Sequence, residues 1–471
     1  MMSRREFVGV LATATCGVAR VPSLAAQDDE LSRTRDGLPW LREAQRIVSR
    51  IRIPTFPDRT ISGLEAGGKP DGVTDCRAKF QSVIDQLNAA GGGQLSLPSG
   101  TWLSNGPLHL KSNVRLHLSA EARLEFSGSP EHYLPVVLTR WEGTEVYGPS
   151  PLIYAYQSVN VAVTGSGVIV GHGGEVFDTW REKQADDQQL LRKMGAEGVA
   201  VHERTFGAGR FLRPVMMQFF ACRNVLVDGI ALTDMPFWGI HPVFSHSVTI
   251  RGVRIDSRYV NSDGIDPDSS TDVLIERCVL RTGNDCVSIK SGRDEDGWRL
   301  GRPSDGIVVR NCDMTGTSPA LGAGVSIGSE MSAGVRNVYI HDCIMRTVPF
   351  GVNIKSNLDR GGSVEHVRMG NCRVQRSNSL VQLTTAFGGY RGGQRPPLFR
   401  DIRVENVDCD QTDIGLSVVG ARDAPVQQLT LDNVTIGSAK RPVEVKYVRG
   451  LRARRVRIGG SDVVVPSNAD D

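Results

Sequence analysis

"TDVLIERCVL" (residues 271–280), "DGIVVRNCDM" (305–314), "RNVYIHDCIM" (336–345) and "EHVRMGNCRV" (365–374) are variants of one phrase. Toward the N-terminus it recurs as "RNVLVDGIAL" (223–232) and "HSVTIRGVRI" (246–255). Toward the C-terminus it recurs as "RDIRVENVDC" (400–409), "QQLTLDNVTI" (427–436) and "RGLRARRVRI" (449–458). Its third residue gives the anchors Val225, Val248, Val273, Ile307, Val338, Val367, Ile402, Leu429 and Leu451, separated by steps of 22 to 35 residues. "QSVNVAVTGSGVI" around Val159 reads as an earlier copy, ahead of an insertion. Short alternating strands broken by Gly, Asn and Asp at this period spell an all-β solenoid, a parallel β-helix. No single coil can bury its apolar residues alone, so coils stack at the roughly 4.8 Å strand spacing and equivalent positions form ladders.

Five residues after each anchor stands a small or apolar residue: Ile230, Val253, Cys278, Cys312, Cys343, Cys372, Val407, Val434 and Val456. The chain has 9 cysteines. The four in this series share their position with Val and Ile, so they read as free, buried spacers packing as small hydrophobes. Upstream, "DGVTDCRAKFQSVIDQLNAAGGGQLSLPSGTW" (71–102) switches to a helical period. Phe80, Val83, Ile84, Leu87 and Ala90 share a face, Asp75 caps the start and Gly91 to Gly93 end it. Such a helix would close the open N-terminal end of the solenoid. Residues 172–213 are charged and strand-poor, an inserted loop with some helix expected over the cleft.

The chain opens "MMSRREFVGVLATATCGVARVPSLAAQDDE", with Arg4 and Arg5, a short apolar run and small residues near Ala25. Residues 1–26 read as a twin-arginine signal that exports the protein, 27–60 as an N-terminal extension and 61–471 as the solenoid. No later stretch approaches the roughly 20 apolar residues of a membrane span. A net charge of +3 is too mild to argue for nucleic acid.

Measured from the anchors, Asp263 lies 15 after Val248, Asp285 lies 12 after Val273, Ala323 lies 16 after Ile307 and Lys355 lies 17 after Val338. "NSDGID", "GNDC", "GAGVSIGSE" and "NIKSN" are thus expected on one face of successive coils, with Asp263 and Asp285 on adjacent rungs to hold and activate a water. Lys290, Arg293, Lys355 and Arg360 lie in or near that column and suit a polyanion. Trp238 offers an aromatic face for a sugar ring, with His241 beside it. Each of these residues also has a purely structural reading, since solenoid turns use Asn and Asp to satisfy backbone groups. The short acidic turn "RDEDG" around Asp294 reads as solvated, and the chain calls for no metal or cofactor.

The chain resembles the polygalacturonases of glycoside hydrolase family 28, in particular their bacterial, exo-acting branch. The likeness is carried by "FPDRTISGLEAGGKPDGVTD", "LHLKSNVRLHLSAEARLEF", "YLPVVLTRWEG", "NSDGIDPDS", "SGRDEDGWRLGRPSDGIVVRNC" and "IGSEMSAGVRNVYI". It implies a right-handed parallel β-helix, of the pectin-lyase-like kind, that hydrolyses α-linked galacturonan with inversion. The family's Asn-Thr-Asp motif, source of one base carboxylate, falls on Asp263 with Asn261 beside it. Its Asp-Asp pair, general acid and second base, falls on Asn284 and Asp285. Its Gly-His-Gly histidine falls on Ala323, and its carboxylate-binding Arg-Ile-Lys on Asn353, Ile354 and Lys355.

The base half is therefore present, while an amide at 284 cannot deliver the proton that the departing oxygen needs. Asp266 and Glu330 are candidate replacements, and His241 and His341 are less well placed by register. The expected partner is an acidic, pectin-type polysaccharide, bound by a monomer. Two other readings stay open: a carbohydrate-binding protein that lost activity with Asn284 and Ala323, and a β-eliminating lyase.

Overall fold

The computed structural model describes residues 37–470, so the candidate export signal lies outside the described residues. The repeated phrase folds into two short strands per coil. The anchors pair in one unbroken parallel row, Val225–Val248–Val273–Ile307–Val338–Val367–Ile402–Leu429. The phrase's last residue forms a second row, Leu232–Ile255–Leu280–Met314–Met345–Val374–Cys409–Ile436–Ile458. A third ladder stacks Met217, Ile240, Ile265, Val287, Val325, Val352, Val381 and Leu416. All these side chains are buried, so the core is a continuous apolar column enclosed by the three ladders.

The earlier copy of the phrase is in register two residues later than the sequence suggests. Val161, not Val159, pairs with Val225, and Val159 stands opposite Arg223. The repeat is degenerate there, and either valine fits the alternation. Cys278, Cys312, Cys343 and Cys372 are free and buried, each sulfur lying 3.3–3.4 Å from the carbonyl oxygen two residues before it. Between anchor and cysteine the chain turns through left-handed residues, which Asn tolerates better than most side chains. At that corner Asn433 donates to Asn406 at 2.8 Å and Asn406 to Asn371 at 3.3 Å, tying successive turns together.

Helix α1 (Leu41–Arg50) precedes the first coil, and helix α2 (Arg77–Ala89) stands where later coils carry their third strand. Phe80, Val83, Ile84 and Leu87 of α2 enter the main core, and the Arg77 amide donates to Asp75 at 3.0 Å, as read from the sequence. Ala90 lies past the helix end and is exposed, because the apolar face closes one turn earlier.

From residue 37 on, the N-terminal extension is a strap. Leu38, Trp40, Ala44 and Ile47 pack on Leu274, Val308 and Tyr339, on the outer face of the anchor ladder. Polar contacts pin it along several coils: the Arg52 amide to Ser247, Arg50 to Asp272, Tyr339 to Glu43, and the Trp40 indole to Glu405. His341, one of the alternative proton donors, lies under this strap beside Trp40 and is not on the cleft face.

Residues 172–213 carry one turn of π-helix (Gly173–Phe177) running into helix α3 (Asp178–Ala196). Leu191, Phe206 and Leu212 of this insertion form a separate apolar cluster with Trp141, Phe237 and Trp238. Helix α4 (Asp294–Leu300) is built on the acidic turn, which is not solvated. Asp296 is buried against Arg204 at 2.9 Å, and Asp294 against Arg360 at 2.6 Å, so these carboxylates bind distant loops together. No helix among the described residues is long and apolar enough to cross a membrane.

Trp40→Ala should lower the unfolding midpoint in denaturant by the equivalent of about 3 kcal/mol, the cost of truncating a buried tryptophan. An unchanged midpoint would mean that the strap adds nothing to the coils it spans.

Candidate active site

On the third ladder the pleat sends Ile265, Val287, Val325 and Val352 inward. Two residues before these, Asp263, Asp285 and Ala323 occupy equivalent places on successive coils, with Gly264 donating to the Asp285 carbonyl and Cys286 to that of Ala323. Gly322 makes the close approach possible: at φ +98, a Cβ there would lie 2.3 Å from the Asn284 carbonyl oxygen. Lys355 is on the same face but in another row. It stands three residues past Val352, in line with Lys290 and Gly328, whereas the residue opposite Ala323 in that coil is Phe350. Counting from the anchors missed this because loop lengths differ from coil to coil.

Trp238, Asn261, Asp263, Asn284, Asp285, Lys290, Arg293 and Lys355 all line one open cavity of about 150 Å³. Asn353 and His241 do not line it. Asn353 sits in the outward row Ser288–Ser326–Asn353–Gln382, is 4% exposed, and its side-chain oxygen has no hydrogen-bond donor. His241 is fully buried between Gln218 (3.0 Å) and Asp268 (3.6 Å), and burial lowers its pKa. Trp238 presents little open surface: it stacks on Phe237 and carries the Lys290 ammonium 4.4 Å from its ring centre.

The two carboxylates differ in their surroundings. Asp285 Oδ2 accepts from the Lys355 ammonium at 2.9 Å and the Ser288 hydroxyl at 3.1 Å. Asp263 has the Lys290 ammonium at 3.8 Å, and its Oδ1 receives no donor. Burial pushes the Asp263 pKa up to about 7, against the pull of Lys290 and with the push of Asp285. Asp266, fully buried beside it, is raised well above the carboxylate range by burial and by Asp263.

The cations of the column are taken up within the protein. Lys290 lies 3.4 Å from Glu330 and also approaches Asp263 and Asp266, and this negative surround holds its pKa up against burial. Arg293 pairs with Glu330 at 2.7 Å, and Arg360 is bound to Asp294. Burial would raise Glu330, but Lys290, Arg293 and Arg360 hold it well below the carboxylate range, so it is an ionised clamp and no proton donor.

Several cavity residues were not read from the sequence. Glu142 comes from the tip of the antiparallel hairpin Val137–Trp141/Thr144–Gly148. That tip is pressed against the site: at Gly143, φ +80, a Cβ would lie 2.8 Å from the Arg293 amide nitrogen. Arg192 of α3 pairs with Glu142 at 2.8 Å, and Phe387 enters from the loop after the Ser363–Thr384 strand, 5.6 Å from the Lys355 ammonium. Asn261 is held by Arg213, which donates to its side-chain oxygen at 2.7 Å. Only the isolated charge of each such residue is visible in sequence, and nothing local marks it for the cavity.

The arrangement supplies a cavity floored by two carboxylates on neighbouring rungs, with buried cations behind them. Comparison with known proteins accords with that geometry. Residues 93–456 match the model of glycosyl hydrolases family 28. A hyperthermoactive exopolygalacturonase from Thermotoga maritima superposes with a TM-score of 0.85 at 37% identity, over 89% of this chain and 96% of that one. A polygalacturonase from Erwinia carotovora shares the fold, with a TM-score of 0.64 at 23% identity over 85% and 98% of the two chains. A probable polygalacturonase from Vitis vinifera is 27% identical over 421 residues, 85% of this chain and 79% of the relative. The fold is thus the right-handed parallel β-helix of polygalacturonases, and the chain belongs to glycosyl hydrolases family 28.

Proposed function

We propose that the protein is an exported glycosidase that hydrolyses α-linked galacturonic acid or a related pectic saccharide with inversion, using water activated at the Asp263/Asp285 pair. The observation that carries this reading is the pair itself, on adjacent rungs at the base of an open cavity, with Lys355 bonded to Asp285. The likeness to an exopolygalacturonase supports the substrate class. We infer attack at chain ends, because the Glu142–Gly143 tip and α3 wall the cavity on one side. Arg192 and Lys355, which keep part of their side chains exposed, are the cations best placed to meet a substrate carboxylate.

The competing reading is a saccharide-binding homologue without turnover, favoured by Asn284, Ala323 and Asn353 at positions where the family carries its acid, histidine and arginine. The two readings separate on polygalacturonate and on short galacturonate oligomers. Hydrolysis releases reducing ends with no ultraviolet-absorbing unsaturated product, and chain-end attack releases monomer first. Binding without turnover would sink the hydrolase reading, and an absorbance rise would mean a lyase. Asp285→Asn should lower kcat by a factor of about 10² to 10⁴, as loss of an acid–base group typically does. Arg192→Ala should raise KM on the acidic oligomer with kcat little changed, since its charge lies at the rim and away from the reacting pair. A fall in kcat at unchanged KM would place Arg192 in the chemistry instead.

A further inference from the structure

Asn284 leaves open how the departing glycosidic oxygen gains its proton. Among the described residues lining the cavity, Glu330 is held ionised by Lys290 and Arg293, Glu142 is bonded to Arg192 and Gln188 at the rim, the lysines and arginines are paired cations, and Ser329 donates to Glu330. His241 does not reach the cavity. What remains is Asp263, with Asp266 behind it. Both carboxyls are buried around the same Lys290 ammonium, and no N–H or O–H of the described residues reaches either Asp266 oxygen or Asp263 Oδ1. Two carboxyls crowded about one ammonium with no other donor repel each other when both are ionised, and a proton held by the pair relieves that repulsion. The nearest cation, Lys290, stands 3.8 Å from Asp263 and 3.9 Å from Asp266, too far to donate a hydrogen bond to either. Asp285, by contrast, accepts from an ammonium and a hydroxyl.

Resting on the hydrolase reading above but moving Asp263 from base to acid within it, we infer that the Asp263–Asp266 pair replaces the missing general acid, Asp263 delivering the proton and Asp266 holding it in reserve, while Asp285 alone is the base. Asp285 takes a proton from water as the water oxygen bonds to the anomeric carbon. The bond from that carbon to the glycosidic oxygen breaks, and the oxygen takes a proton from Asp263. Asp266 passes its proton to Asp263, solvent in the cavity restores the pair through Asp263, and Asp285 returns its proton to solvent. Asp263 is the catalytic residue of the two. Asp266, fully buried, acts through it.

The charged groups facing the pair are Lys290 and Asp285 from the next coil, with Glu330 and Lys355 beyond them. His241 and Asp268 lie behind Asp266. Burial raises both carboxyls, Asp263 to about 7 and Asp266 well above its usual value, so the pair keeps a proton toward neutral pH. Wild-type kcat/KM should therefore persist toward neutrality and fall as the pair deprotonates.

The deciding measurement compares two leaving groups, an oligogalacturonate and the 4-nitrophenyl α-galacturonide, whose phenolate departs without help. Asp263→Asn should lose a factor of about 10² to 10⁴ on the oligomer but less than tenfold on the nitrophenyl glycoside, whereas Asp285→Asn should lose heavily on both. Asp266→Asn should lower kcat/KM at neutral pH and move its alkaline limb to lower pH, with Asp266→Glu restoring part of the lost range. Equal losses on both substrates for Asp263→Asn, or an unmoved limb in Asp266→Asn, would overturn the assignment.

A second readout needs no turnover. Because both carboxyls ionise at higher pH folded than unfolded, the stability they confer is lost as pH rises from about 4 through 7. The unfolding midpoint of Asp263→Asn relative to wild type should therefore climb from pH 4 to pH 8. A flat difference would mean that no proton is shared, whatever the fate of the hydrolase reading.

Discussion

The parallel pairing of each coil with the next is the constraint on which the rest of the molecule depends. The strands of a central coil bond through their backbones to the two neighbouring coils, so a position set in one coil is imposed on the next. A slip of one residue would turn the apolar rows outward, and the buried rows of Val, Ile, Leu and Cys make that slip costly. The candidate site inherits this rigidity. Asp263, Asp285 and Ala323 are neighbours because Ile265, Val287 and Val325 are, and their backbones stand one rung apart, roughly 5 Å, without any dedicated scaffold.

Within that frame the chemistry is set by unequal surroundings. Asp263 and Asp285 are the same side chain on successive coils and both are nearly closed to solvent. One is given a hydroxyl and an ammonium at hydrogen-bond distance. The other is given a second carboxyl and a more distant lysine. Environment of this kind separates an acid from a base of identical type. Lys290 is central to the balance, since burying Glu330, Asp263 and Asp266 together without a cation among them would be prohibitive.

Elements outside the repeat shape the entrance. The hairpin tip at Glu142–Gly143, helix α3 and helix α4 are joined by Arg192–Glu142, Arg204–Asp296 and Arg360–Asp294 contacts. On the far side, α1 crosses several coils and covers Leu274, Val308 and Tyr339, an apolar strip that the outward side of a solenoid strand would otherwise expose.

The fold class, the anchor rows, the cysteine row, the capping helix and the shared rung of Asp263 and Asp285 could all be read from the chain. Each follows from a local rule, the two-residue alternation of a strand or the helical period, repeated at nearly constant spacing. The resemblance added the family and singled out Asn284. Where the spacing varied, the reading slipped, by two residues at Val159 and by a row at Lys355. Burial of Asp294 and Asp296, the closure of His241, and the entry of Glu142, Arg192 and Phe387 into the cavity were decided by tertiary structure alone. The contacts of Glu142 with Arg192 and of Asp296 with Glu145 and Arg204 join residues 50 to 151 positions apart through segments with no period of their own, so no local pattern encodes them. The same holds for the proton: Asp266 follows Asp263 plainly in the sequence, but only packing brings the two carboxyls together out of reach of any other donor.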